Sequence, residues 1–133
     1  AFTNTGGIRQ DIATGDITKG DIIGVLPFNN NILELQLTGQ QVVDCLDNHA
    51  VAGMTTSGGY KHTDGTAFNL DSVYSVLTTD YLYIQENNAL SAYDPNPYYT
   101  EMNYHQPTVD YILSLNTDSS NPLDNYLDYS PRR

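Results

Sequence analysis

Gly6 and Gly7 stand side by side just ahead of Arg9, in a chain that carries only five Lys and Arg residues in all. Paired glycines let backbone N–H groups come close to a ligand with no Cβ in the way. An arginine directly behind them offers a planar fork of donors suited to phosphate or carboxylate. Further on, Pro27-Phe28-Asn29-Asn30 sets an aromatic face beside amide donors and acceptors. An anion grip, a π platform and amides together match a nucleotide, which has a phosphate, a flat base and polar edges. Taken one at a time, each has a plainer use. A Gly-Gly pair makes a turn, an arginine pairs with a surface acid, and a phenylalanine fills a core.

Positioning these groups requires elements that the sequence marks locally. Phe2-Thr3 ends a strand that leads into the turn at Asn4-Thr5-Gly6-Gly7. Thr18 to Asp21 has the Thr-x-x-Asp form of a helix start, and Pro27 closes that segment. Ile32 to Leu37 alternates Leu33, Leu35 and Leu37 with Glu34 and Gln36, the pattern of a half-buried strand. Thr38 to Gln41 is a capping box that predicts a helix reaching about His49, with Val42, Cys45, Leu46 and His49 on its inner face. A hairpin is predicted between Tyr60 and Phe68, and a central strand over Ser72 to Tyr83 from its β-branched and aromatic content. The Tyr- and Pro-rich run that follows reads as irregular. A last helix is predicted over Thr108 to Leu115, entered after Pro107. The polar end reads as a surface strap. Strands and helices alternate without a regular βαβ beat, so the predicted class is α+β, a mixed sheet with helices packed on it.

The 133 residues fit a single domain spanning 1–133. The opening AFTNTGG, with no initiator Met, reads as a strand cut from a longer protein. Five Lys and Arg against sixteen Asp and Glu leave a net charge of −11, a surface that repels polyphosphate and argues against nucleic acid. No apolar run is long enough for a membrane span. Cys45, the single cysteine, reads as a small core residue. His49, His62 and His105 lack the spacing of metal ligands, and no catalytic Ser/His/Asp grouping is evident. Tyr93, Tyr98, Tyr99 and Tyr104 read as packing a long loop on the sheet, with a sugar-binding platform as the competing use.

The order of motifs adds a resemblance. NTGGIR, GDITKGDIIGVLPFNN and LELQLTGQQVVDCLDN, followed more weakly by SGGY and YSVLTTDYL, resemble the C-terminal domain of the 5′-nucleotidase family, which includes UDP-sugar hydrolases. The resemblance implies a domain that binds the nucleoside part of the substrate. Asn4 would line the base pocket and Arg9 would contact phosphate. Phe28 and Tyr81 would be the two rings on either side of the base, with Asn30 in the pocket and Gly58 in a neighbouring loop. Family members follow the second ring with Gly-Gly-Asp-Gly, whose Asp binds ribose. Here QENNAL stands instead, with Asn87 at that place, an amide able to meet a hydroxyl but without the charge.

The resemblance also implies that this chain needs no cofactor of its own and is inactive alone. Two divalent metal ions and the catalytic groups would sit in a separate N-terminal metallophosphoesterase domain, the first helix of the family domain would lie upstream, and the parent would work outside the cytoplasm. The alternative is a non-catalytic surface module on the same fold, with nucleotide recognition lost, binding glycan or protein.

Overall fold

The computed structural model describes residues 1–46, 49–56, 58–85 and 89–127. Its centre is strand β2, Asn31–Thr38, whose alternation the sequence predicts. Leu33, Leu35 and Leu37 all point inward and are fully buried. Both edges of β2 are used: β6, Val73–Thr79, pairs along its whole length (Leu35↔Val76), and β7, Tyr98–Asn103, pairs with its first half. Two smaller antiparallel pairs accompany this sheet. Strand β1, Phe2–Asn4, lies beside β3, His49–Val51, and β4, Met54–Thr55, beside β5, Lys61–His62. The class is α+β as predicted, but the sheet expected to be mixed is antiparallel among the described strands. Leu35, Leu37, Val42, Val76, Leu82 and Leu90 anchor the core, and Cys45 is buried among them. Burial, then the neighbouring Asp44 charge, pushes the Cys45 thiol pKa up, as fits a packing residue.

Helix α1, Lys19–Val25, starts where Thr18 predicts. The Asp21 amide donates to Thr18 Oγ1, while the Thr18 amide and hydroxyl both donate to the Asp21 carboxylate at 2.7 Å. Those bonds hold the Asp21 carboxyl below its ordinary value of 3.8. A carboxyl depressed in the folded state stabilises the fold above its unfolded value and stops doing so as pH falls through the folded one. Asp64 and Asp118 are lowered in the same way by Thr66 and Ser120. Urea unfolding should therefore show wild type losing stability between neutral pH and pH about 3, with a smaller loss in Asp21→Asn, whose side chain does not titrate.

Three elements differ from the sequence expectation. Helix α2, Gly39–Asp44, has the predicted capping box but ends well before His49, which instead begins β3 opposite Asn4. The pull is non-local, because β1 needs a partner and the Phe2 ring packs on His49 at 5.5 Å. Strand β6 stops at Thr79 and lies at one side of its sheet rather than the centre. The Thr79 hydroxyl accepts the Leu82 amide and opens helix α3, Asp80–Ile84, so the N-capping preference of Thr next to Asp prevails over the β-propensity of the tyrosines that follow. The Tyr-rich run, read as irregular, supplies the short helix α4, Leu90–Tyr93, and then β7. A register shift and a positive φ of 57° at Glu101 mark a bulge there, which hides the alternation. Beyond the reach of β7, the Gln36 amide donates to the Asp94 carboxylate at 2.9 Å.

The predicted Tyr60–Phe68 hairpin is present as a bridge between Lys61 and Ala67. Helix α5, His105–Ser114, begins ahead of Pro107, which falls in its first turn, where the missing N–H leaves no helix bond unmade. The polar end holds one short turn of helix, Leu123–Tyr126, on the surface.

Candidate functional site

Strand β1 ends at Asn4, and Thr5–Gly7 makes a single tight turn closed by the Ile8 amide on the Thr5 carbonyl. Gly6 is exposed and Gly7 is buried. A Cβ at Gly7 would come within 3.3 Å of the Asn4 amide group, so the half-buried Asn4 side chain fills the hollow beside the second glycine. This close approach gives Gly7 a packing reason of its own.

Arg9 follows at once and is held at two points. Its backbone amide donates to the Val25 carbonyl at 2.8 Å, tying the loop to the end of α1. Its Nη1 donates to the Gly6 carbonyl at 3.0 Å. The guanidinium carbon then lies 5.9 Å from the centroid of the Phe28 ring, within cation–π range. Among the described residues these recorded partners, a carbonyl and an aromatic ring, are both neutral.

Phe28 sits in the connection from α1 to β2, with 45% of its surface exposed. Its amide donates to Tyr104 Oη at 3.2 Å. Asn29 Oδ1 accepts from Asn103 Nδ2 at 2.6 Å, and the Asn30 carbonyl accepts the Tyr104 amide at 3.1 Å. The Tyr104 phenol pKa is raised by burial and partly offset by the Phe28 amide it accepts. Tyr104 thus packs its segment as the sequence suggests, whereas Tyr98 and Tyr99 on β7 stand 67% and 55% exposed.

Tyr81 lies on the first turn of α3, not on a strand, and is 43% exposed. The Asn31 amide donates to Asp80 Oδ2 at 3.1 Å, and Ile32 pairs with Thr79. The start of β2, just past Phe28, is thereby fastened to the start of α3, which carries Tyr81. Contacts therefore join Asn4, Gly6, Gly7, Arg9, Phe28 and Asn30 at one corner, and Tyr81 belongs to the helix tied to that corner. Gly58, with a positive φ of 74°, lies on the turn between β4 and β5, in a different sheet. Asn87 lies outside the described residues. Asp80, Asn103 and Tyr104 also build this corner; only the Thr-Asp run at Asp80 gave a local signal.

A cavity of about 140 Å³ lies elsewhere, between β1 and β6, bordered by Phe2, Val42, Met54, His62, Phe68 and Tyr74 among others. Its neighbours Phe68 and Tyr74 stack on each other at 4.4 Å, and its lining belongs to the core. Arg9, Phe28 and Tyr81 do not border it. At the corner, Arg9 and Gly6 are exposed and Phe28 is half exposed. Among the described residues no three His, Cys, Asp or Glu side chains gather, so these residues do not fit a metal centre. No helix among them is long and apolar enough to cross a membrane.

Known proteins share both the sequence and the shape. A segment of 59 residues, 44% of this chain, is 41% identical to the trifunctional nucleotide phosphoesterase protein YfkN of Bacillus subtilis, of which it is 4%. Over 72 residues, 54% of the chain, it is 35% identical to the 5′-nucleotidase of Vibrio parahaemolyticus, of which it is 13%. The chain thus spans only a small part of these relatives. The fold superposes on the 5′-nucleotidase precursor of Thermus thermophilus with a TM-score of 0.67 at 20% identity, covering 86% of this chain and 28% of that one. The family model for the 5′-nucleotidase C-terminal domain matches residues 1–71, more than half of the chain, and the chain belongs to that family.

Proposed function

We propose that this chain binds a nucleotide or nucleoside, as the substrate-binding domain of a metal-dependent phosphohydrolase. The base lies between the Phe28 and Tyr81 rings, Arg9 meets the phosphate, and Asn30 and Asn4 contribute polar edges. The observation that carries this reading is the Arg9–Phe28 pair: a guanidinium held by neutral partners, 5.9 Å from a half-exposed ring. Among the described residues the recorded partners of the Arg9 guanidinium are neutral and the Phe28 face is half open, and a phosphorylated planar ligand could use both. Membership in the family and the names of the relatives support the same ligand class.

In the parent, a separate N-terminal metallophosphoesterase domain would carry two divalent ions that activate water for phosphate-ester hydrolysis. This chain's part is to orient the nucleoside so that its phosphate faces that centre. Asn87 would offer an amide to a ribose hydroxyl, with Gly58 in a neighbouring loop. The parent works outside the cytoplasm, in keeping with the family and with a structural relative made as a precursor.

Calorimetric titration with AMP, adenosine and UDP-glucose tests the reading. AMP and adenosine bind wild type, and Arg9→Ala weakens AMP about ten-fold while leaving adenosine within about two-fold, as expected for loss of one charge-assisted contact. Equal effects on both ligands would assign Arg9 to folding rather than to phosphate. The exposure of Tyr98 and Tyr99 favours a second reading, a glycan-binding face on β7. Saturation by oligosaccharide, with no response to nucleotide, would establish it instead.

A further inference from the structure

We propose that Asn103, Tyr104 and His105 form a clamp that sets the pose of Phe28, and so act as positioning residues for the planar part of the ligand; this rests on the nucleoside-binding reading above. The segment Leu26–Asn30 leaves α1 and reaches β2 without regular structure of its own. Bonds from residues 103–105 nonetheless reach four of its five residues. His105 Nε2 meets the Leu26 carbonyl. Tyr104 meets the segment at two points, its hydroxyl accepting the Phe28 amide at 3.2 Å and its own amide donating to the Asn30 carbonyl at 3.1 Å. Asn103 Nδ2 donates to Asn29 Oδ1 at 2.6 Å, while Asn103 Oδ1 accepts the His105 amide at 3.0 Å. Pro27 has no N–H to satisfy.

Three consecutive residues thus hold four of these five, across a separation of more than seventy positions in sequence. The Tyr104 and His105 rings lie against each other at 4.7 Å, which limits the rotation of both. The consequence is specific to the exposed ring. A phenylalanine half open to water on a loose loop loses freedom when a base stacks on it, and that ordering cost is subtracted from affinity. On a loop already fixed, the ring is presented in one orientation and the cost is small. The recorded clamp bonds go to the Leu26–Asn30 segment and not to Arg9, whose guanidinium is reached only through the Phe28 ring 5.9 Å away, so the effect should fall first on the planar part of the ligand and less on the anion contact.

Tyr104→Phe keeps the ring and deletes the hydroxyl, and Asn103→Ala deletes a second tie should the first variant fold poorly. Tyr126→Phe, which removes a hydroxyl bonded to Asn121, is the control. Amide exchange and calorimetry are measured on the full chain. Tyr104→Phe is expected to speed exchange of the Phe28 amide about ten-fold while the Leu35 amide stays protected. AMP and adenosine should bind about 3- to 10-fold more weakly, with inorganic phosphate weakened less than either. Phe28 exchange identical to wild type in both clamp variants overturns the clamp. Faster exchange with unchanged adenosine affinity overturns its positioning role. A wild-type chain that binds neither AMP nor adenosine overturns the nucleoside reading itself, and this role with it.

Discussion

Gly39→Ala destabilises the domain by about 3 kcal/mol, although the same change in an ordinary helix is favourable. Gly39 is the first residue of α2, and two amides of that turn, which have no partner within the helix, find acceptors outside it. Gly39 donates to the Ser72 carbonyl and Gln40 to the Leu70 carbonyl, both at 2.8 Å. Seating the helix so closely brings the Asn69 carbonyl oxygen to 2.2 Å, and Leu70 Cα to 2.7 Å, from where a Cβ would stand. Backbone atoms cannot swing aside as the end of a side chain can. The alanine therefore forces α2 off the 69–72 segment, and both amide bonds lengthen with it.

Two other glycines make the comparison sharp. Gly24 would bring a Cβ to 2.1 Å from Gln10 Nε2, a flexible group that can move away, so Gly24→Ala should cost little. At Gly20 the nearest atom is Thr18 Oγ1 at 3.4 Å, and Gly20→Ala should be neutral or stabilising by up to about 1 kcal/mol. Urea midpoints for the three variants should rank Gly39→Ala far below the others. A Gly39→Ala protein as stable as wild type would mean that α2 is not seated on this backbone.

Replacing both rings, Phe28→Ala with Tyr81→Ala, should weaken AMP and adenosine by about 100-fold or more. Stacking on one aromatic face is worth about 1–3 kcal/mol per base, roughly 5- to 150-fold, and two faces share one ligand here. The singles need not add up to the double, because once one ring is gone the base can tilt onto the other. Phe28→Ala also removes the face beside the guanidinium, so it should affect AMP more than adenosine. Tyr81→Phe keeps the π surface and should retain affinity within about three-fold. Since the two residues are 45% and 43% exposed, and so more than half buried, their loss should lower unfolding free energy by about 1–2 kcal/mol per ring, and urea midpoints measured beside the titrations separate a binding defect from a folding one.

Much of this architecture is legible in the chain because its signals are local. The capping boxes at Thr18 and Thr38 close within one turn, and the β2 leucines alternate within one strand. What escaped local reading depends on distant partners. His49 leaves the α2 pattern because β1 requires a neighbour, and Tyr98 to Asn103 become a strand only beside β2. The site divides the same way. Arg9 and Phe28 stand out through motif order, but the ties from Asn103 and Tyr104 to Asn29 and Phe28 cross 74 and 76 positions. Nothing in either segment alone announces them. The shift of Tyr81 from strand to helix came from a Thr hydroxyl capping where β-propensity suggested continuation.

The most direct measurement is of magnetisation transfer between adenine protons and the rings of Phe28 and Tyr81, in the chain saturated with AMP. The account predicts cross-peaks from the base to both rings, with upfield shifts of the adenine protons held between them. Saturable binding in which the base contacts neither ring, or contacts Tyr98 and Tyr99 on β7 instead, would contradict it.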